Sequence, residues 1–580
     1  MRTHRSIDRD RTRKLIGDED PVDRVARAFD AITNIDDPAI FISTTDRERS
    51  LAAVDPALPL AGVTFAAKNN IDVAGLATTA GCPSYAYDPG ESAIVVQRLT
   101  NAGATCIGAT NLDQFATGLV GTRSPYGIPR NAVDPLLVPG GSSAGSAVAV
   151  ARGLVDFALG TDTAGSGRVP AAQNRIIGIK PTRGRLSTRG VVPAVRSLDC
   201  VSVFGQNVAI ATLGYDVCAG YDRLDGSSRR PGRVPMVMPR LVVGIPRTVD
   251  LATSLDAAAW DASVEHLATL EHVDVVRVDI DDFVEAGNML YGGPWVAERY
   301  VAVGAFLETE PLDANPTVSG IIRGASKRTA IEAYEAQYRL DELRRAADDT
   351  WARVDVLMVP TTPGVATLAE VEADPIGRNS DLGTYTNWVN LLDQCAVAVP
   401  GADRADGWPF GVTFLGAAWS DDTVIELAQR FSTDPPAADQ HPYSSSGGID
   451  IVVVGAHLHE QPLNWQLTDH GGRLIRACRT APGYQLYALG GGGIPKPALV
   501  RRNEPGDGHG SSTIEVEVWR LPAAEFGVFS QYVPAPLGLG RVDLDDGTSP
   551  TGFIAEPAAL DGATDITRHG GWRSYLRDRS

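Results

Sequence analysis

The sequence predicts an α/β protein: a large domain built around a mixed central sheet, followed by a smaller, β-rich α+β domain. Three observations predict it. Short apolar runs alternate with helical patterns from about residue 60 to 430, the composition then shifts to DPPAADQHPYSSSGG, and beyond that point period-two alternation replaces helical periodicity. At 580 residues the chain also exceeds what one hydrophobic core usually organises.

Taken in order, the strand signals are residues 63–67, 104–108, 155–159, 242–245, 273–278 and 356–359, each short, apolar and rich in β-branched or small side chains. Helical patterns lie between them, among them 91–102 and 254–270, the second opening on Ser254 as a cap. The Pro, Ala, Ser and Gly of 434–448 bury too little apolar surface to order themselves and read as a linker. Domains are therefore expected at 1–433 and 449–580. In the second, 449–454 reads as a strand and 514–521 alternates with period two, while Gly and Pro punctuate the rest. There is no internal repeat.

A net charge of -19 and a pI near 4.9 exclude nucleic acid or an anionic membrane as an expected partner. The six cysteines (82, 106, 200, 218, 395 and 478) form no C-x-x-C pair, so neither a disulfide framework nor a zinc site is expected. They read as small apolar residues of a reducing compartment. The first twenty residues are charged throughout and no run of about 18 apolar residues occurs, so the expected location is the cytoplasm.

The chemistry is concentrated in two serine-bearing glycine loops, GGSSAGS at 140–146 and GTDTAGS at 160–166. Glycine lets backbone N–H groups approach a developing negative charge, because no Cβ blocks the way. A serine nucleophile needs a base. Between residues 5 and 440 the only histidines are His266 and His272, in or just after an ordinary amphipathic segment, so the base is sought elsewhere. Lys68 closes an apolar strand and opens the polar turn Asn69-Asn70-Ile71-Asp72, at a sheet edge where active sites collect. To act as a base it must be buried, which lowers its pKa from about 10.4.

Lys68, GGSSAGSA and GTDTAGSGRVPAA together resemble the amidase signature family of serine hydrolases, over most of residues 60–200. The resemblance implies an α/β/α sandwich with a mixed central sheet and a Ser, cis-Ser, Lys triad. Ser166 would be the nucleophile, Ser142 the bridging serine after a cis peptide, and Lys68 the terminal base. The N–H groups of Thr163, Ala164, Gly165 and Ser166 would form the oxyanion hole, with neither cofactor nor metal. Where the family commonly has Gly-Gly before the nucleophile this chain has Ala164-Gly165, which resembles the allophanate hydrolase branch. So do FAAKNNIDVAGLATTAGC and YGGPWVAERY, in which Tyr291 and Arg299 match positions that bind the substrate carboxylate.

The tail segments VVVGAHLHEQPLNWQL, YALGGGGIPKPALVR and GFIAEPAAL resemble the C-terminal domain of the same branch, related in fold to γ-glutamylcyclotransferases. The branch implies hydrolysis of allophanate to N-carboxycarbamate and ammonia, then decarboxylation in the C-terminal domain to a second ammonia and carbon dioxide. This would occur in urea degradation, by a homodimer acting on a small molecule. His457 is the candidate for that second step, with Glu556 and then His459 behind it. Three other readings compete. A G-x-S-x-G elbow would make Ser143 the nucleophile but lacks a strong preceding strand. A phosphate loop lacks its Lys-Ser/Thr ending. A generic small-amide amidase, or the amidase component of an amidotransferase, keeps the triad and changes the substrate.

Overall fold

Eleven of the apolar runs pair into one sheet. In chain order they are β1 (Phe41–Thr44), β2 (Thr64–Lys68), β3 (Thr105–Thr110), β4 (Phe157–Asp162), β5 (Ile177–Lys180) and β6 (Cys200–Gly205). They continue as β7 (Leu241–Pro246), β8 (Val273–Val278), β9 (Val356–Pro360), β10 (Cys395–Pro400) and β11 (Gly411–Gly416). The spatial order is β1-β3-β2-β4-β6-β5-β10-β11-β9-β7-β8. β2 runs parallel to β3 and β4, and β7 parallel to β8 and β9, while the middle strands are antiparallel, so the sheet is mixed as expected. The computed structural model describes residues 9–230, 240–432, 448–470, 472–490, 495–501 and 512–579.

Near-continuous burial along β2, β4, β6 and β10 reflects helices covering both faces of the sheet. Phe65 and Phe157 are register partners on β2 and β4 and stack with ring centroids 5.6 Å apart. This fixes the two strands against each other a few residues before Lys68 and Thr161. Because β2, β3 and β4 are parallel, their C-terminal ends lie on one edge, which is where the polar loops converge.

Several boundaries differ from the sequence reading for identifiable reasons. The helix expected at 91–102 spans Ile94–Asn101, because the N–H groups of Ala93 and Ile94 bond to Asp72 and Arg189 carbonyls outside it. The helix expected at 254–270 spans Ser254–Thr269 and is capped by Thr253, not Ser254: Thr253 is extended and its hydroxyl accepts from Asp256 N–H. The strand expected at 155–159 is shifted to Phe157–Asp162, carrying it up to the second glycine loop.

The chain divides into two compact units, the second holding the residues described from 448 onward. The linker expected at 434–448 lies, apart from Gly448, outside the described residues. The second unit has a five-stranded sheet of order β13-β16-β12-β18-β17 and a three-stranded sheet of order β15-β14-β19. These are β12 (Gly448–Val453), β13 (Arg473–Arg479), β14 (Tyr484–Ala488), β15 (Pro497–Arg501), β16 (Glu515–Pro522), β17 (Leu537–Arg541), β18 (Thr551–Ala555) and β19 (Thr564–Asp565). Its own core gathers Ile451, Val453, Leu486, Val516, Trp519 and Phe553. Among the described residues no helix is long and apolar enough to cross a membrane.

Candidate active site

Lys68 is the last residue of β2 and is fully buried. Its Nζ lies 2.8 Å from Ser142 Oγ and 2.7 Å from Thr161 Oγ1 on β4. Ser142 follows a cis Gly141–Ser142 peptide and immediately precedes Ser143, which stands at the N-cap position of the helix Ala144–Ala151 without a side-chain capping bond. A Cβ on Gly141 would collide with Asp113 Oδ2, so only glycine fits there. Ser143 Oγ donates to the Thr161 carbonyl at 3.2 Å, tying this loop to β4 and occupying the hydroxyl that a nucleophile-elbow reading would need free.

Ser166 sits in the loop between β4 and the helix Val169–Gln173, 3% exposed, and its hydroxyl makes no hydrogen bond among the described residues. The loop is organised by Asp162, a residue the sequence reading passes over. Its carboxylate accepts from Gly165 N–H at 2.9 Å and Gly167 N–H at 3.0 Å, and from Arg168 Nε and Nη2, both at 2.9 Å. Burial alone would raise this carboxyl, but the Arg168 guanidinium and the N–H donors outweigh it and hold Asp162 below the usual carboxylate range. The Asp162 and Thr163 carbonyls are held in turn by Asn390 Nδ2 at 2.7 and 3.0 Å.

Of the four expected oxyanion donors, Gly165 N–H is thus committed to Asp162. The N–H groups of Thr163, Ala164 and Ser166 have no acceptor among the described residues. Thr163 Oγ1 donates to Asp199 Oδ1, whose carboxylate also caps the Ala194 and Val195 N–H groups. Ala164 is 1% exposed and packs in an apolar cluster with Val195 and Trp388, which gives its methyl group a place that glycine would leave empty. Gly165 has φ +134°, and a Cβ there would strike the Thr386 side chain.

The electrostatics favour a neutral amine. Burial is the largest influence on Lys68, and with Arg299 it prevails over the carboxylates of Asp113, Asp199 and Asp162 to bring its pKa to about 7. Asp113 and Asp199 are themselves raised by burial, which weakens their opposition. An amine poised near neutrality, bonded to a serine hydroxyl, is suited to take up and return a proton.

Arg299, on the helix Val296–Leu307, is 2% exposed. Its Nη1 donates to Thr117 Oγ1 at 2.7 Å, its Nη2 lies 3.4 Å from the Tyr291 hydroxyl, and its Nε has no partner. No carboxylate lies within 4 Å of it among the described residues, so the buried guanidinium keeps donor capacity without a directly paired carboxylate, and Asp199 acts on it only at longer range. Thr117 follows Phe115 and Ala116, both at positive φ (51° and 52°). A cavity of about 330 Å³ is lined by Arg189, Arg196, Asp225 and Asp199, the carboxylate that accepts from Thr163. Ser197, next to Arg196, donates its N–H to Glu298, the neighbour of Arg299.

The other sequence candidates are placed as follows. His266 bonds the Phe431 carbonyl at 2.9 Å and packs on its ring, a structural position. In the second unit His457 is largely buried, 2.7 Å from Gln466 Oε1 and stacked on Phe553. Glu556 is exposed and His459 faces Glu460 at 4.0 Å. The residues that sequence reasoning missed are Asp113, Thr117, Thr161, Asp162, Asp199 and Asn390. Only Asp162 carried a local signal, standing between a strand and a glycine turn with an arginine six residues on.

Residues 33–425 match the Amidase family and 449–577 the Allophanate hydrolase C-terminal domain. The chain is 42% identical over 548 residues to urea amidolyase of Saccharomyces cerevisiae, covering 90% of this chain but only 30% of that protein, so it spans less than a third of that relative. It is 41% identical over 548 residues to urea amidolyase of Lachancea kluyveri, again covering 90% of this chain and 30% of that one. Among solved structures, Kluyveromyces lactis allophanate hydrolase superposes with a TM-score of 0.74 at 39% identity over 99% of both chains. With its signature residues assembled around a buried lysine and a match spanning most of its length, the chain belongs to the amidase family, and its C-terminal part is an allophanate hydrolase C-terminal domain.

Proposed function

We propose that this protein hydrolyses allophanate, with Ser166 as nucleophile, Ser142 as proton bridge and Lys68 as terminal base. The observation that carries the chemistry is the fully buried Lys68, held near neutrality and bonded to Ser142 at 2.8 Å. Ser166 Oγ attacks the carbonyl carbon of the terminal amide while its proton passes through Ser142 to Lys68. The oxyanion is met by the N–H groups of Thr163, Ala164 and Ser166. Lys68 returns the proton through Ser142 to the leaving nitrogen, ammonia departs, and water then attacks the acyl-enzyme with the same relay as base. The product is N-carboxycarbamate.

Substrate choice follows from Arg299 and Tyr291. A buried guanidinium without a directly paired carboxylate is stabilised by an incoming one, and allophanate presents one at the distance of a single urea linkage from the reacting amide. The likeness to allophanate hydrolase and urea amidolyase supports this choice over a generic amide, and the C-terminal domain match supports it over a role within an amidotransferase. In the second domain His457 would serve the loss of carbon dioxide. The reading divides the chain at 1–433, 434–448 and 449–580. It places the protein in the cytoplasm as a homodimer, the location supported by cysteines that are all free thiols.

The test is ammonia and carbon dioxide released per allophanate consumed by the intact protein and by Ser166→Ala, corrected for spontaneous decay. Two ammonia per substrate from the wild type and none from Ser166→Ala are expected. No ammonia above the blank from the wild type ends the substrate assignment; full activity of Ser166→Ala ends the mechanism.

A further inference from the structure

Asp199 belongs both to the wall of the 330 Å³ cavity and to the contacts of the loop that carries the proposed nucleophile. The other carboxylate in that wall, Asp225, is engaged with its own turn. It accepts from the Ser187 and Ser227 hydroxyls at 3.0 and 2.6 Å and from the Thr188 N–H at 2.7 Å. Arg189 is likewise taken up, by Asp222 at 3.0 Å. Asp199 stands immediately before β6 and is 7% exposed. Among the described residues its Oδ1 accepts from the Thr163 hydroxyl and, at 3.1 Å, from the Val195 N–H, and its Oδ2 accepts only from the Ala194 N–H, at 2.8 Å. An ionised carboxylate has about four acceptor positions, so Oδ2 keeps one to offer. The two backbone donors clamp the group and prevent it from turning away.

Asp199 also lies within electrostatic reach of Lys68 and of Arg299, the proposed base and the proposed carboxylate anchor. A substrate held between Ser166 and Arg299 joins its reacting amide to its carboxylate through one bridging atom. A carboxylate beside that path repels an anionic substrate and disfavours binding, unless the bridging atom brings it a proton donor. We propose that Asp199 is a specificity-determining residue, whose Oδ2 accepts a hydrogen bond from an N–H at the bridging position and so selects nitrogen there over carbon. The proposal rests on the function proposed above and deepens it: Arg299 and Tyr291 recognise the carboxylate common to both kinds of substrate, and Asp199 recognises the atom that differs. A CH2 at the bridge leaves the buried acceptor unpaired, which is how a site built to hydrogen-bond an N–H rejects the analogue that lacks it.

The experiment compares kcat/KM for allophanate and for malonamate, in which CH2 replaces the bridging NH, in the full-length wild type, Asp199→Asn and Thr163→Val. Where a compound is bound without turnover, its inhibition constant takes the place of kcat/KM. Two of the three donors sit on Oδ1, so asparagine keeps its oxygen there and turns its NH2 to the Oδ2 position, setting a donor against the bridging N–H. Asp199→Asn should therefore lose about tenfold more on allophanate than on malonamate. Displacement of the Thr163 loop lowers both alike and cancels in the ratio. Thr163→Val breaks the contact between loop and carboxylate but keeps the acceptor, so its losses on the two substrates should be equal. Equal losses in Asp199→Asn, or the same preference in Thr163→Val, overturn the proposal. If Asp199→Asn does not fold, the wild type decides. Methylating the bridging atom adds the same bulk to allophanate and to malonamate but removes a donor only from allophanate, so its penalty there should be about tenfold larger; equal penalties overturn the proposal. Ammonia from malonamate and none from allophanate would end the substrate assignment and this proposal together, whereas turnover of allophanate with equal losses ends this proposal alone.

Discussion

Replacing Lys68 by methionine converts the poise of a buried amine into a measurable stability. The amine titrates at about 7 in the folded protein against an ordinary value of 10.5, with burial as the leading cause, so between those pH values the unfolded chain binds more protons than the folded one. Stability must then rise with pH across the window: the penalty is complete below about 7 and has vanished above 10.5. Integrating the linkage gives about 4 kcal/mol at pH 7 and about 2 kcal/mol at pH 9. Methionine preserves the length of the side chain and abolishes the titration. It also removes the bonds to Ser142 and Thr161, but that loss is common to both pH values and cancels. In urea denaturation, wild type should therefore gain about 2 kcal/mol relative to Lys68→Met between pH 7 and pH 9. A difference that stays level to within about 0.5 kcal/mol would refute the claim that the surroundings of Lys68 lower its pKa to about 7. The same poise predicts that kcat/KM of the wild type climbs with pH through about 7, as the base loses its proton.

Arg299→Met should lower kcat/KM about 30-fold or more for malonamate, an anionic monoamide, and leave the neutral malonamide almost unchanged; equal losses on both would remove Arg299 from carboxylate recognition. Asp162→Asn leaves the fully buried Arg168 without its counter-charge and should cost about 3–5 kcal/mol in denaturant titrations, an expectation that a loss below about 1 kcal/mol contradicts. In Gly165→Ala the new methyl meets Thr386, so kcat should fall about 100-fold through displacement of the neighbouring N–H donors; undiminished turnover would show the loop to be more tolerant than its packing implies. Arg196→Gln, at the exposed rim of the 330 Å³ cavity, should reduce kcat/KM for the anionic substrate about threefold at low salt and not at all near 0.5 M; a loss independent of salt would point to packing.

The parts of the fold legible in the sequence are those set by local pattern. The alternation of apolar runs and helices locates β2, β3, β4, β7, β8 and β9 to within a few residues, and the glycine loops announce where the proposed serine chemistry sits. The long helix Ala330–Trp351 is passed over, although Thr329 and Glu332 form a capping box that a sequence can display. The antiparallel middle of the sheet is harder to read, because the neighbours β5–β6 and β10–β11 are joined by long loops (181–199 and 401–410) without a tight-turn signal, and β5 pairs with β10 from far along the chain. The same holds for the site. Lys68, Ser142 and Ser166 stand inside recognisable motifs, but Asp199 reaches Thr163 across 36 residues and Asn390 reaches Asp162 across 228. Their roles come from tertiary proximity, and nothing in their neighbours' identity marks them.

Thr161 gives the proposed relay a direction. A neutral amine carries two protons and one lone pair, and only the lone pair can receive the Ser142 proton. The Thr161 hydroxyl, itself approached by Asn70 Nδ2 at 3.4 Å, lies 2.7 Å from Nζ and gives one of those protons a fixed destination. With that proton anchored, rotation about the last bond of Lys68 is restrained and the lone pair is left aimed at Ser142, so the wire is oriented before any substrate arrives. A valine in its place would fill the same volume and leave the amine to spin, disconnecting the base from its serine without moving either one.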